Sequence, residues 1–561
     1  MAKRQITNHL ILILLIFTFV KCANQISPPG GEVDKIPPTI IDAYPENGTT
    51  NFNENEIEFS FSEYVNKRNI NEAFFISPIM ENNPEFSWTN KTVYIEFQDS
   101  LKNNTTYSVV IGTEITDVNN NNKMEAPFIL TFSTGNKIDS GKISGKIYSD
   151  NSDGTLIFAY KVDTGLVDIY KEKPTYISQI SDKGIYNFNG LGNGLYSLFA
   201  VKDEFKDLIY NVGDDKIGIA NSFLKLDEAK KEIKDVNFFL NKEDTLAPNI
   251  QAVTMTDKNH IVVEFNEPLD STKINVKNFS IIDSTTNSKF AIGHWFKTKS
   301  KKNEYVLCIS DSLNEENEFY LHANNIYDVN QNKLILETPN FIVSTKPDTN
   351  SIKLESIKTE FDKTTIDYLS PNFHLIFSDA FDTSKISNSI KLFSEDSLNI
   401  PINYSIVNGA QIKIESGLKL EPSKEYLVNV DLGKFIDIAQ NKTDTVIVKK
   451  VSTIGELDFS GASGLIRHDS LRNINVVIQK VGFANQKIQV KADKNGKFEF
   501  ERLLPAKYLV WSFVDTDSNG IFSHGNISPL RFSEPFKFYP DTLNLRPRWP
   551  VGDIEIDFSK N

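Results

Sequence analysis

Ile57-Glu58-Phe59-Ser60-Phe61-Ser62-Glu63-Tyr64-Val65-Asn66 alternates apolar and polar residues, the period of two that lets a strand bury one face and wet the other. The stretch recurs. Val263-Glu264-Phe265-Asn266-Glu267-Pro268-Leu269-Asp270 and Leu375-Ile376-Phe377-Ser378-Asp379-Ala380-Phe381-Asp382 repeat its order of Phe, small polar residue, acid, any residue, apolar residue, then Asp or Asn. In each copy a Leu then precedes an aromatic strand: Leu101 with Tyr107, Leu313 with Phe319, Leu420 with Tyr426. An Asp-x-x-x-Asn turn follows at Asp117 with Asn121, Asp328 with Asn332, and Asp437 with Asn441, and a strand ends on Ser133-Thr134, Ser344-Thr345 or Ser452-Thr453. Ordered landmarks repeated three times predict three copies of one β unit. Asp and Asn accept bent backbone and cap it through their side chains, so the turn acids are read as structural rather than metal-binding.

Two further segments form a second repeat. Gly184, Tyr186, Phe188, Leu191, Tyr196 and Asp203 recur as Gly496, Phe498, Phe500, Leu503, Tyr508 and Asp515 at a constant offset (496 − 184 = 515 − 203 = 312). A Gly turn, an alternating aromatic strand, a short turn and a second aromatic strand predict a meander with one buried face. Composition agrees, because 40 Phe and 19 Tyr against 4 Met and 4 Trp favour strands over helices. A chain of 561 residues has room for about four or five domains, each with its own core.

The three copies resemble the bacterial Ig-like domains of the S-layer SbsA type, whose Pro-Pro start is matched by Pro37-Pro38-Thr39 and Ala247-Pro248. Asn stands where that family often has Gly in the turn, and the third copy lacks the Pro-Pro start. The resemblance implies seven-stranded sandwiches. The other two segments resemble the carboxypeptidase regulatory-like, or CnaB-like, prealbumin-type sandwich, with Ala506 in place of the Gly expected in the second copy. Together these imply an all-β chain of tandem β-sandwiches, three Ig-like and two prealbumin/CnaB-like, behind a lipoprotein signal. The expected order is a signal peptide at 1–21, a Pro/Gly-rich tether at 22–36, Ig-like at 37–136, carboxypeptidase regulatory-like at 137–243, Ig-like at 244–346 and 347–454, and carboxypeptidase regulatory-like at 455–561.

At the N-terminus, Lys3 and Arg4 precede an uncharged run from Leu10 to Val20, and Cys22 follows. Eleven helical residues rise about 16 Å, too little for a hydrocarbon core of about 30 Å, so the run is an export address and not a span. It resembles a bacterial lipoprotein signal, with Lys21 where that family carries Gly, Ala or Ser. The resemblance implies a lipid on Cys22 and a protein anchored to the outer membrane, on its surface or its periplasmic face.

The balance of 60 basic and 74 acidic residues, a formal charge of −14, repels a phosphate backbone, so nucleic acid is excluded as a partner. With Cys22 acylated, Cys308 is left alone in the apolar run Val306-Leu307-Cys308-Ile309, where a thiol reads as a small core residue. The seven His are scattered, without zinc spacing, and neither a nucleophile elbow nor a phosphate loop is present. An enzyme is therefore not expected, and no cofactor is expected apart from calcium at one loop. That loop is Asp515-Thr516-Asp517-Ser518-Asn519-Gly520, where Asp515, Asp517 and Asn519 place oxygens at alternate positions before a Gly, as a calcium loop does. Asn526 stands where such a loop would carry its bidentate Glu, and an Asx-type turn is the competing reading. Arg546, Arg548 and Trp549 are read as a packing and cation-π contact.

Asp followed by Ser or Thr and then Leu, Val or Thr resembles an O-glycosylation site of exported proteins, at Ser100, Thr245, Ser271, Ser284, Ser312, Ser397, Thr445, Ser470 and Thr542. Turn chemistry explains the same pairs equally well. The expected function is a structural or protein-interaction scaffold, with other envelope proteins or glycans as partners. The alternative is a carbohydrate-binding accessory lipoprotein of the cell surface, which would expose a row of aromatic rings.

Overall fold

A computed structural model describes residues 33–149, 151–162, 167–361, 364–468, 473–483 and 486–559. The expected signal peptide, Cys22, most of the tether, and Ser470 lie outside the described residues. The alternation seen in sequence becomes pleated strands: Glu56–Phe61 buries Ile57, Phe59 and Phe61 while its polar residues face outward. The chain is all-β, and its described helices are single turns such as Lys67–Asn69 and Ile70–Ala73. Among the described residues no helix is long and apolar enough to cross a membrane.

Between residues 40 and 133 one sheet runs in the order Ile40–Tyr44, Glu56–Phe61, Thr92–Glu96, Glu85–Thr89, and the other in the order Phe74–Ser77, Thr106–Ile111, Phe128–Ser133. In chain order this is the ABED-with-CFG arrangement of an Ig sandwich. The four-stranded sheet recurs as Ile250–Met255, His260–Phe265, Glu304–Cys308, His294–Lys297, and again as Leu354–Thr359, Asn372–Phe377, Gln411–Ser416, Ile402–Asn408. Each sandwich packs its own core, around Phe59, Phe61 and Phe132 in the first, Phe265 and Tyr305 in the second, and Phe377 and Phe435 in the third. Tyr107 and Tyr426 accept a hydrogen bond through their hydroxyls from the backbone N–H of Lys102 (2.8 Å) and Glu421 (2.9 Å), the corner that pins an Ig F strand. Phe319 fills that place without a hydroxyl.

The other two segments share a strand order. Ile185–Leu191, Gly141–Lys146, Glu232–Ile233 corresponds to Lys497–Leu503, Ser460–Arg467, Val551–Asp557, and in both the last strand pairs parallel with the middle one. The second sheet runs Tyr176–Gln179, Leu156–Lys161, Gly194–Lys202, Lys216–Ile219 in one and Lys487–Lys491, Ile474–Lys480, Lys507–Val514, Phe536–Phe538 in the other. Tyr196 and Tyr508 are buried and donate to carbonyls four residues back, of Gly192 (2.7 Å) and Leu504 (2.9 Å).

Two compact units result. One takes the chain up to residue 167 with 172–198 and 224–234, and the other takes 168–171, 199–223 and everything from 235 onward.

Candidate functional site

The repeated acids converge. The acid of the second Ig strand and the Asp of the turn meet a third acid that stands six residues before the first strand in every copy: Asp34 before Ile40, Asp244 before Ile250, Asp348 before Leu354. Oxygens of Asp244, Glu267 and Asp328 lie within 4.8 Å of one another, as do those of Asp348, Asp379 and Asp437. In the first copy the Glu63 carboxyl is shifted upward by burial and then by the charges of Asp117 and Asp34. In the second, burial and the neighbouring Asp244 push Glu267 up to about 7.

The turn Asp is used differently in each copy. Asp117 accepts from the N–H groups of Asn120 (2.6 Å), Asn121 (2.9 Å) and Asn122 (3.1 Å) and from the Asn122 carboxamide (2.7 Å). Asp328 accepts from the Asn332 N–H at Oδ1 and its carboxamide at Oδ2, both 2.8 Å. Asp437 Oδ1 accepts from the Asn441 N–H (2.7 Å), but the Asn441 carboxamide gives its hydrogen bonds to the Asp348 carbonyl (3.3 Å) and Oδ2 (3.2 Å) and the Asn350 carbonyl (3.5 Å). Asp437 Oδ2 is buried and accepts no hydrogen bond among the described residues.

Asp379 also belongs to a joint. His260, from the copy that precedes it, shares Nδ1 with Asp257 Oδ1 (2.8 Å) and Nε2 with Asp379 Oδ1 (2.9 Å). Burial opposes a charge on this ring, but the two carboxylates outweigh it and hold the imidazolium far above the usual histidine range. Around it Phe296, Val306 and Cys308 of one sandwich pack on Ala380 and Ala410 of the next. Burial pushes the Cys308 thiol up to about 11, which leaves it a protonated packing group, as its sequence context predicts. The Gly409 N–H donates to the Trp295 carbonyl (2.9 Å), and a Cβ on Gly409 would stand 3.0 Å from those of Ala380 and His294, so a larger residue here would have to push the two sandwiches' side chains apart by a few tenths of an ångström. Beside the joint lies a cleft of about 670 Å³ lined by Asp257, His260, Lys299, Asp348, Asp379 and Gln411, among others.

A second joint is aromatic. Phe239 stacks on Phe536 (4.5 Å between ring centres) and meets Trp511, Phe522, His524 and Phe538 at 5.2 to 5.9 Å. Phe223 meets Phe532 edge-on at 4.9 Å, and Asp235 pairs with Lys537 (2.9 Å). Burial, with a smaller push from Lys487, lowers His524 to about 4. At a third joint Arg502 lies over Phe459 (4.0 Å) and Tyr368 (4.8 Å) and donates to Asp367 Oδ1 (2.5 Å).

The expected calcium loop gathers Asp515 and Asp517 with Glu534, an acid that the sequence reading passed over because no fixed spacing ties it to the loop. Asp515 accepts from the N–H of Asn519 (3.1 Å) and Gly520 (2.9 Å), while Asn519 turns its carboxamide to Asp517 (2.8 Å). The earlier repeat has the same bonds at the same offsets, with Asp203 accepting from Asp207 (3.3 Å) and Leu208 (2.8 Å). Leu208 there takes a left-handed φ of 63° where Gly520 has 76°, so the turn forms without the glycine. Ser100, Thr245, Ser271, Ser284, Ser312, Ser397, Thr445 and Thr542 are all exposed. Trp549 is not the packing contact expected of it: the residue is 74% exposed, and no cation-π contact reaches it among the described residues. A backbone turn, in which the Trp549 N–H donates to the Arg546 carbonyl (3.2 Å), is what joins it to Arg546.

Comparison with curated proteins finds no match. Among solved structures, the N-terminal part of the bacterial S-layer protein SbsC is similar at 16% identity over 37% of this chain and 44% of that one, with a TM-score of 0.17. Domains 1–6 of the surface layer protein SbsC align at 10% identity over 91% of this chain and 68% of that one (TM-score 0.16). BcpA, the major pilin subunit of Bacillus cereus, aligns at 11% over 74% and 98% (TM-score 0.13). At such TM-scores these likenesses carry no weight for function or arrangement. Residues 34–134, the segment built as the first ABED-with-CFG sandwich, match the family described as Bacterial Ig-like domain.

Proposed function

We propose that this chain is a non-enzymatic scaffold of the cell envelope, lipid-anchored to the outer membrane at Cys22, whose tandem sandwiches present surfaces to other envelope proteins or to glycans. One observation carries the reading: the ionised side chains of buried His260 and half-buried Arg502 are taken up in contacts between successive sandwiches. A group whose polar atoms are paired across a joint fixes the spacing and orientation of the surfaces on either side, and both ring nitrogens of His260 are taken up by carboxylates. The exposed Asp-Ser and Asp-Thr pairs are where such a surface would carry glycans. The carbohydrate-binding alternative is less favoured, because among the described residues the exposed rings Tyr44, Tyr64, Phe205, Tyr404, Phe483 and Trp549 are spread along the chain, with no three of them in one sandwich. Fractionation of cells carrying Cys22→Ser tests the anchor. The variant is expected in the soluble fraction, and its retention in membranes would overturn the anchor. Protease shaving of intact cells then reports which face of the membrane the sandwiches occupy.

A further inference from the structure

The three turn acids have the same place in three copies of one sandwich, and one of them lacks what the others have. Asp117 and Asp328 have both carboxylate oxygens hydrogen-bonded by their own turns. Asp437 is 1% exposed, its Oδ2 accepts nothing among the described residues, and carboxylate oxygens of Asp348, Asp379 and Asp437 lie within 4.8 Å of one another. Three carboxylates facing one another repel, burial and the charges of Asp379 and Asp348 shift Asp437 upward, and the His260 imidazolium meets only Asp379 of the three, so a further cation among them would relieve the arrangement.

We infer that Asp348, Asp379 and Asp437 form a calcium site beside the joint between the second and third Ig-like sandwiches. The donor set is all oxygen, which suits a hard cation and excludes the soft metals that favour thiolate. Oxygens on opposite sides of a calcium ion stand about 4.6 to 5.2 Å apart, and the three carboxylates keep within 4.8 Å of one another, so they fit around one ion with little movement. Asp348 and Asp379 also line the 670 Å³ cleft, which gives an ion and its remaining water ligands a way in. The second copy differs at the decisive atom. There Asn332 donates to Asp328 Oδ2, and the cluster forms without an orphaned oxygen. In the third copy the Asn441 carboxamide gives its hydrogen bonds to Asp348 and Asn350 instead, and none reaches Asp437 Oδ2. Because Asp379 is also the partner of His260, an ion held there sits one side chain from the contact between sandwiches, and its binding stiffens that joint.

The test is calcium titration of the full chain after chelator treatment, read by isothermal titration and by calorimetric unfolding. The wild-type chain is expected to bind with a dissociation constant of about 10⁻⁴ to 10⁻³ M and to unfold at a higher temperature in millimolar calcium. Asp437→Asn keeps the shape of the side chain and is expected to weaken binding at least tenfold and to remove the thermal shift. Asp348→Asn should do the same and stands in if Asp437→Asn does not fold. Asp517→Ala, in the last sandwich, should leave the response intact. Absence of calcium binding by the wild-type chain would overturn the proposal, as would unchanged binding in both Asn variants. A response abolished by Asp517→Ala alone would also overturn it and assign the ion to the Asp515 loop.

Discussion

His260 and His524 each stand at a joint between sandwiches, and their surroundings drive them to opposite charge states. His260 is clamped between Asp257 and Asp379 and holds its proton far into the alkaline range. His524 lies edge-on to Phe239 and Phe522, its Nδ1 meets no partner among the described residues, and its pKa falls to about 4. The first joint is held by charge that must stay paired, the second by apolar rings that must stay dry. One residue type, read only from sequence, reports neither state; the partners decide it.

The largest effect is expected where charge is stranded. His260→Ala leaves the carboxylates of Asp257 and Asp379 in a buried joint without their cation, a loss of about 3 to 5 kcal/mol. Denaturant unfolding of the full chain measures it, and a loss below about 1 kcal/mol would mean that the joint is not held by this pair. At the aromatic joint, acid should act next most strongly. His524 has a folded pKa of about 4, below the unfolded value of about 6.5, so the unfolded chain binds the proton more tightly. Stability from its neutral form is therefore complete above about pH 6.5 and is lost as the pH falls toward 4, by about 3 kcal/mol in all. Melting temperatures across that range should slope downward in acid, and His524→Phe should flatten this part of the slope. The smallest effect belongs to the rim of the same joint. Asp235→Ala removes a partly exposed partner of Lys537 and should change stability by less than about 1 kcal/mol, with the difference vanishing in high salt. A larger loss would show the aromatic joint to be charge-held after all.

Strand alternation was legible in the sequence because the pleat has a period of two and writes itself into consecutive residues, as in Ile57, Phe59 and Phe61. The turn Asp and the strand acid were legible as repeats, but their meeting was not. The third acid lies in a segment without periodicity, and only its constant distance of six residues from the first strand marks it. Joints were not legible at all. His260 and Asp379 are 119 residues apart, and no local pattern connects them. Trp549 was misread because a neighbouring Arg in sequence is adjacent in space only if the backbone turns both side chains the same way. Glu534 was passed over because it reaches the Asp515 loop from a separate strand end, where its Oε1 accepts from the Thr516 N–H (2.6 Å).

The parallel pairing of Val551–Asp557 with Ser460–Arg467 also sets an order of events in time. A chain that emerges from its N-terminus completes the earlier sandwiches first, but Ser460–Arg467 waits for a strand from the far end of its own segment, with Ile554 and Ile556 still missing from the core. The aromatic joint must wait as well, since Asp235 and Lys537 are 302 residues apart. Until then the rings of Trp511, Phe522, Phe536 and Phe538 are not in place around Phe239, and such distant pairings form slowly. The segment around Phe536 and Phe538 thus completes both its own sheet and the ring cluster around Phe239.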